Sequence, residues 1–314
     1  MGADIRRNAA SVRVLVAEPD QLGDGPRWEE TSRRLYWLDI VGKRLSSCAE
    51  DGTDLQRMAL PETPGSHVAR SRGGRLIAFR RRIALFDSND REESTIVTTS
   101  VDCSRERFND GSCDAAGRFW VGTMDRSLKD PIGALYCLEA DHSLRRCASG
   151  FGISNGIAWS PDYERLYQCD SLFPRIVVYP FNLERGSVGE GRVFASFLSG
   201  MGVPDGCAVD SYGRLWVAMP GVNRIICFDA DGKLRESLET PTMWPSSVAF
   251  GGHDLKTLFI TSLVPKTEST SPSSHMSEAR TDASDVRSTP LDADGRVYTV
   301  ALSIAGLPAT MYGG

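Results

Sequence analysis

A repeated pattern of short apolar segments and turn residues runs through most of this 314-residue chain. Each copy opens with a polar residue, enters a short apolar strand, turns, and continues into a second strand, as in the stretch from Asn155 to Tyr167. Six copies are marked by Leu35, Leu76, Phe119, Leu166, Leu215 and Leu258, at spacings of 41, 43, 47, 49 and 43 residues. Such a period, with short strands and turns, is typical of a β-propeller. We therefore predict an all-β fold, a six-bladed β-propeller with about four antiparallel strands per blade.

The repeat also predicts how the chain is organised, because the blades of one ring share a single domain. We therefore expect one domain over residues 1–314, with a loose leader at 1–10. The alternating segment Val12 to Val16 precedes the first blade, and we expect it to complete the last blade and remove a free sheet edge. Residues 265–292 are rich in Ser, Thr, Asp and Pro, which predicts a surface insertion in the last blade.

Composition narrows the classes of partner. The formal net charge of −5 disfavours nucleic acid, and no segment is apolar for long enough to span a membrane. The eight cysteines form no C-x-x-C pair, and the N-terminus has no apolar signal core, so we expect reduced, mostly buried thiols and a cytoplasmic location. We expect a small-molecule substrate and a monomer or small homo-oligomer, since no motif favours a larger partner.

The polar residues that open the repeats are the candidates for chemistry. In a propeller the innermost strands begin beside the central channel, so equivalent positions in different blades converge there. These positions hold Asp24, His67, Asn109, Asn155, Asp205 and Ser246 or Ser247. Carboxylate and amide oxygens that face one channel predict a site for a hard divalent cation. Taken singly, Asp-Gly and Asn-Gly are common turn dipeptides and His67 could be a structural histidine, but their shared repeat phase favours a site.

Several longer motifs carry a family resemblance. They are Leu22-Gly23-Asp24-Gly25-Pro26-Arg27-Trp28, Arg107-Phe108-Asn109-Asp110-Gly111, Gly117-Arg118-Phe119-Trp120-Val121-Gly122-Thr123-Met124, Ser154-Asn155-Gly156-Ile157-Ala158-Trp159-Ser160-Pro161-Asp162, Pro204-Asp205-Gly206 and Ser247-Val248-Ala249-Phe250-Gly251-Gly252. In this order they cover nearly the whole chain. The chain resembles the SMP-30/gluconolactonase/luciferin-regenerating-enzyme family, which includes regucalcin and sugar lactonases.

The resemblance implies one divalent metal near the propeller axis. The family's metal ligands fall on Asp24, Asn155 and Asp205, and Asp205 also takes the position of the general base. Calcium is the expected ion, with zinc, manganese and magnesium as alternatives. One departure bears on this site: the family has Glu in the Leu-Gly-Glu-Gly-Pro motif, where this chain has the shorter Asp24.

The resemblance also implies a substrate site. The family's substrate-binding residues fall on Arg107 and Asn109, and an acidic residue after the Gly-Thr-Met stretch corresponds to Asp125. We add His67 to the substrate-binding candidates because it shares the channel-facing position.

The function that these implications favour is metal-dependent hydrolysis of a lactone to its hydroxy acid. A sugar aldonolactone such as glucono-, arabino- or xylonolactone is the expected substrate. Two alternatives stay open: a hydrolase or isomerase that acts on a non-sugar ester or lactone, and a non-enzymatic calcium-binding regulatory protein. The absence of a repeated carboxylate-rich calcium loop disfavours the regulatory protein.

Overall fold

The regular elements of the chain are all β-strands within the residues that the computed structural model describes, namely 6–7, 11–98, 104–265 and 295–314. The strands form six separate sheets of four or five strands each. Successive strands within a sheet pair antiparallel and are joined mostly by short turns. The prediction of an all-β, six-bladed propeller is confirmed.

The first three blades each contain four strands that follow one another along the chain. Blade one contains β3 Gly23–Glu29, β4 Arg34–Asp39, β5 Arg44–Ala49 and β6 Gln56–Ala59. Blade two contains β7 Pro64–Ala69, β8 Arg75–Phe79, β9 Arg82–Phe86 and β10 Glu92–Thr98. Blade three contains β11 Glu106–Cys113, β12 Phe119–Asp125, β13 Gly133–Leu138 and β14 Leu144–Phe151.

The last three blades vary this plan at their outer edges. Blade four contains β15 Ser154–Trp159, β16 Arg165–Asp170, β17 Arg175–Asn182, β18 Ser187–Val188 and β19 Arg192–Ser196. Blade five contains β20 Cys207–Val209, β21 Leu215–Met219, β22 Arg224–Phe228 and β23 Leu234–Glu239, and β1 Arg6–Arg7 pairs parallel with β23. Blade six contains β24 Pro245–Gly251, β25 Thr257–Ser262, β26 Val297–Ala301 and, outermost, β2 Arg13–Val16.

The ring is closed by the two ends of the chain. The innermost strands contact each other in the order β3, β7, β11, β15, β20 and β24, and β24 contacts β3. Strand β2 pairs antiparallel with β26, so a segment that precedes blade one completes blade six. The predicted closure by this segment is therefore confirmed. Closure leaves no gap in the ring, and it fixes the innermost strands around a common channel.

The hydrophobic core lies between neighbouring blades. One cluster joins Val68 and Leu76 of blade two to Phe108 and Phe119 of blade three. Five further clusters fill the equivalent spaces around the ring. The strand tryptophans are buried among them: Trp28, Trp37, Trp120, Trp159 and Trp216. Packing on both faces of each sheet holds the blades in fixed positions. The innermost strands that line the channel are therefore fixed as well.

The C-terminal segment, 302–314, crosses the end of the ring where the innermost strands finish. Leu307 N donates to Val209 O at 3.3 Å, and Tyr312 N donates to Ala69 O at 2.8 Å. Between them, Thr310 Oγ1 donates to Cys113 O. These carbonyls belong to the last residues of β20, β7 and β11. The segment therefore covers one end of the channel, opposite the end where these strands begin.

Two predicted segments lie largely outside the described residues. Of the insertion predicted at 265–292, only Pro265 is described, and of the leader predicted at 1–10, only Arg6–Arg7. The described neighbours of the insertion belong to the connection between β25 and β26.

The thiols of the described cysteines are all unpaired: Cys48, Cys113, Cys137, Cys147, Cys169, Cys207 and Cys227. All but Cys147 are buried, so the prediction of mostly buried thiols is confirmed within this part of the chain, and their reduced state stays a prediction. In the same residues no helix has the length and apolarity that crossing a membrane requires.

Candidate active site where the innermost strands begin

A β-bulge interrupts the pairing of five innermost strands close to the channel. In blade one it falls between Asp24 and Arg27, in blade three between Phe108 and Gly111, and in blade four after Asn155. Blades two and six carry the same irregularity near their strand starts. A bulge twists the strand and redirects a side chain. The bulge thus accounts for the placement of Asp24-Gly25, Asp110-Gly111 and Asn155-Gly156, whereas Asp205-Gly206 directly precedes β20, whose pairing is regular.

Three carboxylates, one from each of three blades, lie close enough in this channel for their charges to interact. Burial raises the pKa of Asp205 well above its usual value, and the charges of Asp24 and Asp110 raise it further. Burial likewise raises the pKa of Asp24, with Asp110 as the second cause. Nearby positive charge, including Arg107, only partly offsets this effect. The channel therefore concentrates negative charge away from water, which a bound cation would neutralise.

The amide side chains form a hydrogen-bonded chain beside these carboxylates. Asn109 Nδ2 donates to Asn155 Oδ1 at 2.5 Å and to Ser154 O at 3.0 Å. Asn155 Nδ2 donates to Ser171 Oγ at 2.7 Å, and that hydroxyl donates to Pro204 O at 2.7 Å. Pro204 directly precedes Asp205. The chain of contacts thus fixes the Asn155 amide beside Asp205 and leaves one lone pair of its oxygen for another partner.

Gly156 permits the close approach of blades four and five. A Cβ atom at this position would lie 2.5 Å from Asp205 O and 2.9 Å from the Sγ atoms of both Cys169 and Cys207. Neither a backbone carbonyl nor two packed thiols can move aside cheaply. Glycine is therefore required here for Asn155 and Asp205 to meet.

The donor set fits a hard divalent cation. Its candidate atoms are the carboxylate oxygens of Asp24 and Asp205 and the amide oxygen of Asn155, which suit ions that prefer oxygen. Among the described residues, no three His, Cys, Asp or Glu side chains are grouped so that they could hold a metal ion by themselves. An ion held here would therefore need the amide oxygen in addition to the carboxylates.

Arg107 lies next to this donor set. Its Nη1 atom donates to Asn109 Oδ1 at 2.9 Å and to Phe108 O at 3.0 Å. Burial, followed by the positive charges of Arg80 and Arg126, lowers the pKa of Arg107 to about 10, and Asp24 opposes this shift. A guanidinium held this way keeps further N–H groups for a ligand, because its Nε and Nη2 atoms form no hydrogen bond with a described residue.

The ring of His67 is held between protein groups. Gly25 O, 3.0 Å away, can only accept, so Nε2 carries the proton, and Nδ1 faces Arg75 Nη1 at 3.5 Å. Burial and the Arg75 charge lower the pKa of His67 well below its usual value, which keeps the ring neutral. This geometry lets His67 support the Asp24-Gly25 turn. Its predicted contact with substrate stays a prediction.

The carboxylate of Asp125 organises the turn that follows β12. It accepts hydrogen bonds from Ser127 Oγ at 2.6 Å, from Lys129 N at 2.9 Å and from Asp130 N at 2.8 Å. Although burial acts in the other direction, these donors lower the pKa of Asp125. The substrate contact predicted for this residue also stays a prediction, since its oxygens already serve the turn.

Asp110 is a channel residue that the repeat phase of the sequence did not indicate. It lies inside the bulge of β11, and its Oδ1 atom accepts from Gly111 N at 2.7 Å, as Asp24 Oδ1 does from Gly25 N. Burial raises the pKa of Asp110. The repeated Asp-Gly dipeptide was the available signal, but the bulge moves it one position later in this blade.

Known proteins of similar sequence and fold point to one family. A family model described as the SMP-30/Gluconolactonase/LRE-like region matches residues 22–264. The 6-deoxy-6-sulfogluconolactonase of Pseudomonas putida is 35% identical over 80% of this chain and 87% of its own length. Regucalcin of Danio rerio is 32% identical over 81% of this chain and 87% of its own length. The solved structure of a luciferin-regenerating enzyme superposes with a TM-score of 0.83 at 26% identity, covering 98% of this chain and 100% of that one. The chain therefore belongs to the SMP-30/gluconolactonase/LRE-like family.

Proposed function

We propose that this protein hydrolyses a sugar aldonolactone to the open-chain hydroxy acid with the help of one divalent metal ion. The observation that carries the proposal is the convergence of carboxylates and amides from separate blades in one channel, where Asp24, Asn109 and Asn155 are buried and Asp205 is half-buried. The relative from Pseudomonas putida supports the reaction class, since its name describes the hydrolysis of a gluconolactone.

The metal would be held by Asp24, Asn155 and Asp205. When bound, such an ion supplies polarisation of the lactone carbonyl. Calcium is the ion we favour over zinc, manganese and magnesium, because the donors are all oxygen atoms and calcium accepts such shells with flexible geometry.

The side chains of this protein account for orientation and proton transfer. Arg107 donates hydrogen bonds to the ring hydroxyls and holds the lactone against the channel. Asn109 accepts one from a hydroxyl through the remaining lone pair of its Oδ1 atom, because its N–H groups already bind Asn155 Oδ1 and Ser154 O. Asp205 accepts a proton as water adds to the carbonyl carbon, and returns it to the ring oxygen as the bond between that oxygen and the carbonyl carbon breaks. His67 and Asp125 stay as candidate substrate contacts, although their present hydrogen bonds favour a supporting role.

The free thiols of the described cysteines support a reducing compartment, and we propose a cytoplasmic location. A monomer or small homo-oligomer accords with a site formed within one ring. A small-molecule lactone is the proposed partner.

The proposal is tested by measuring proton release from metal-depleted protein supplied in turn with Ca²⁺, Mg²⁺, Mn²⁺ and Zn²⁺. The substrates are glucono-, arabino- and xylonolactone, together with a non-sugar aromatic ester. We expect metal-dependent turnover of the sugar lactones, and a loss of about 100-fold or more in Asp205→Asn, which keeps an amide oxygen but cannot accept the proton.

Three outcomes would contradict the proposal. Preference for the aromatic ester would favour a non-sugar hydrolase. Metal binding without turnover of any substrate would favour a regulatory calcium-binding protein. Full activity in Asp205→Asn would remove the assigned base.

A further inference from the structure

An arginine links blades one and three across part of the channel. Arg27 belongs to β3 of blade one, and its Nη2 atom donates to Gly111 O on β11 of blade three at 2.7 Å. In the ring, β7 lies between β3 and β11, so the side chain must extend through the channel to make this contact. The guanidinium is therefore held inside the channel, on the strand that also carries Asp24.

This guanidinium lies beside the carboxylate of Asp110. Arg27 Nη2 is 3.9 Å from Asp110 Oδ1, which is too long for a hydrogen bond but short enough for a strong interaction between charges that are shielded from water. The two side chains are only 18% and 9% exposed. Burial raises the pKa of Asp110, and the positive charge of Arg27 is the main influence that opposes this rise. Arg27 therefore acts as the counter-ion of Asp110.

The other two carboxylates of the channel are less well compensated. Burial raises the pKa of Asp205, and the charges of Asp24 and Asp110 raise it further. Burial and the charge of Asp110 also raise the pKa of Asp24, and the charges of Arg27 and, more weakly, Arg107 lower it only in part. Three carboxylates thus share the channel with two arginines. The excess negative charge lies with Asp24 and Asp205.

We propose that Arg27 is a built-in cation that neutralises Asp110 and so keeps this carboxylate out of the metal site. The divalent ion is left to Asp24, Asn155 and Asp205. Without Arg27, a third uncompensated carboxylate would draw additional positive charge into the channel. The inference rests on the proposed function, because it concerns the metal site of that function. It gives Arg27 a role with a definite sign: its charge limits the affinity for the metal.

Calorimetric titration with Ca²⁺ tests this role without reference to turnover. In Arg27→Met, which keeps an apolar side chain and removes the charge, we expect Ca²⁺ to bind about 10-fold or more tightly than in the wild-type protein. In Asp110→Asn the charge of Arg27 is no longer balanced, so the affinity should fall about 10-fold. The double variant restores the balance and should bind within about 3-fold of wild type.

Two further variants separate charge from structural support. Arg27→Lys keeps the charge and should bind Ca²⁺ as the wild-type protein does. Arg214→Met is the matched control, because Arg214 is 21% exposed and pairs with Asp210 at 2.7 Å, but lies in the turn after β20 at the covered end of the channel. This control should keep the wild-type affinity. If Arg27→Met fails to fold, the double variant should still bind about 10-fold more tightly than Asp110→Asn.

Weaker binding in Arg27→Met would overturn the inference, since Arg27 would then support the site. A loss in Asp110→Asn that the double variant does not recover would also overturn it, because Asp110 would then be a ligand. The same holds if no protein of the set binds Ca²⁺. Binding that follows the predicted pattern without hydrolysis of any lactone would instead refute the proposed function and leave the role of Arg27 standing. Metal-dependent hydrolysis with equal Ca²⁺ affinity in all variants would do the reverse.

Discussion

At the scale of single residues, the short side chain of Asp24 determines how far a carboxylate reaches into the channel. Its Oδ1 atom accepts from Gly25 N at 2.7 Å, so the group folds back towards its own backbone. The family resemblance placed Glu at this position, and one methylene is about the length of a single bond. The carboxylate of Asp24 is buried, and its charge interacts with that of Asp110. This environment limits its freedom to move towards an ion.

Lengthening this side chain should therefore improve the metal site. In Asp24→Glu we expect the affinity for Ca²⁺ to rise by about 10-fold, measured by calorimetry, because the longer side chain can reach the ion without backbone movement. Asp110→Glu is the matched control, since Asp110 makes the same contact with the glycine that follows it. Weaker binding in Asp24→Glu would show that the site is fitted to Asp, and an equal gain in both variants would show that Asp24 has no special role.

The roles of single residues could be predicted only in part from the sequence. Asp24, Asn109, Asn155 and Asp205 share a repeat phase, and the phase implied that they meet. The partners of His67 could not be predicted, because Gly25 and Arg75 come from another strand start and a neighbouring strand. Such contacts depend on packing between blades, which does not appear as a periodic pattern in the sequence.

At the scale of structural elements, the bulges at the starts of five innermost strands shape the site. The sequence predicted the strands and their turns, because alternating apolar residues and Asp-Gly or Asn-Gly pairs mark them. It did not predict the bulge, since the extra residue is defined only by the pairing of two strands. The unassigned Asp110 is the consequence, because counting without the bulge places Asn109 alone at the channel.

The bulge in blade four gives a prediction at this scale. In Gly156→Ala the new methyl group would meet Asp205 O and two thiol sulfurs, so the strand must shift. We expect the free energy of unfolding to fall by about 1–3 kcal/mol, measured by urea denaturation. We also expect weaker Ca²⁺ binding, measured by calorimetry, because the shift moves Asn155 away from Asp205.

Gly189→Ala provides the control for this substitution. Its Cβ would lie 3.2 Å from the side chain of Pro180 in the outer hairpin of blade four, far from the channel. This variant should keep its metal affinity. A destabilised Gly156→Ala protein with unchanged affinity would contradict the account of the blade-four bulge.

At the scale of the whole molecule, the ring is what makes distant residues neighbours. The repeat spacing predicted six blades, and the segment before blade one predicted closure, because both leave periodic signals. The path of 302–314 across the far end of the channel had no such signal, since it follows no repeat and its partners are strand ends in several blades. Within the described residues, the carboxylates and amides of the candidate site lie at the opposite end of the channel from this segment.

The convergence of Asp24, Asn155 and Asp205 on one ion is the central claim, and a calorimetric titration with Ca²⁺ tests it most directly. The proteins are wild type, the three single alanine variants, and Asp231→Ala as a control, because Asp231-Gly232 is an exposed Asp-Gly turn in an outer hairpin. Each of the three site variants should lose at least about 100-fold in affinity, since each removes a ligand from an oxygen shell, while thermal unfolding stays cooperative. The control should bind as wild type does. Wild-type affinity in any of the three site variants, or an equal loss in Asp231→Ala, would contradict the assignment.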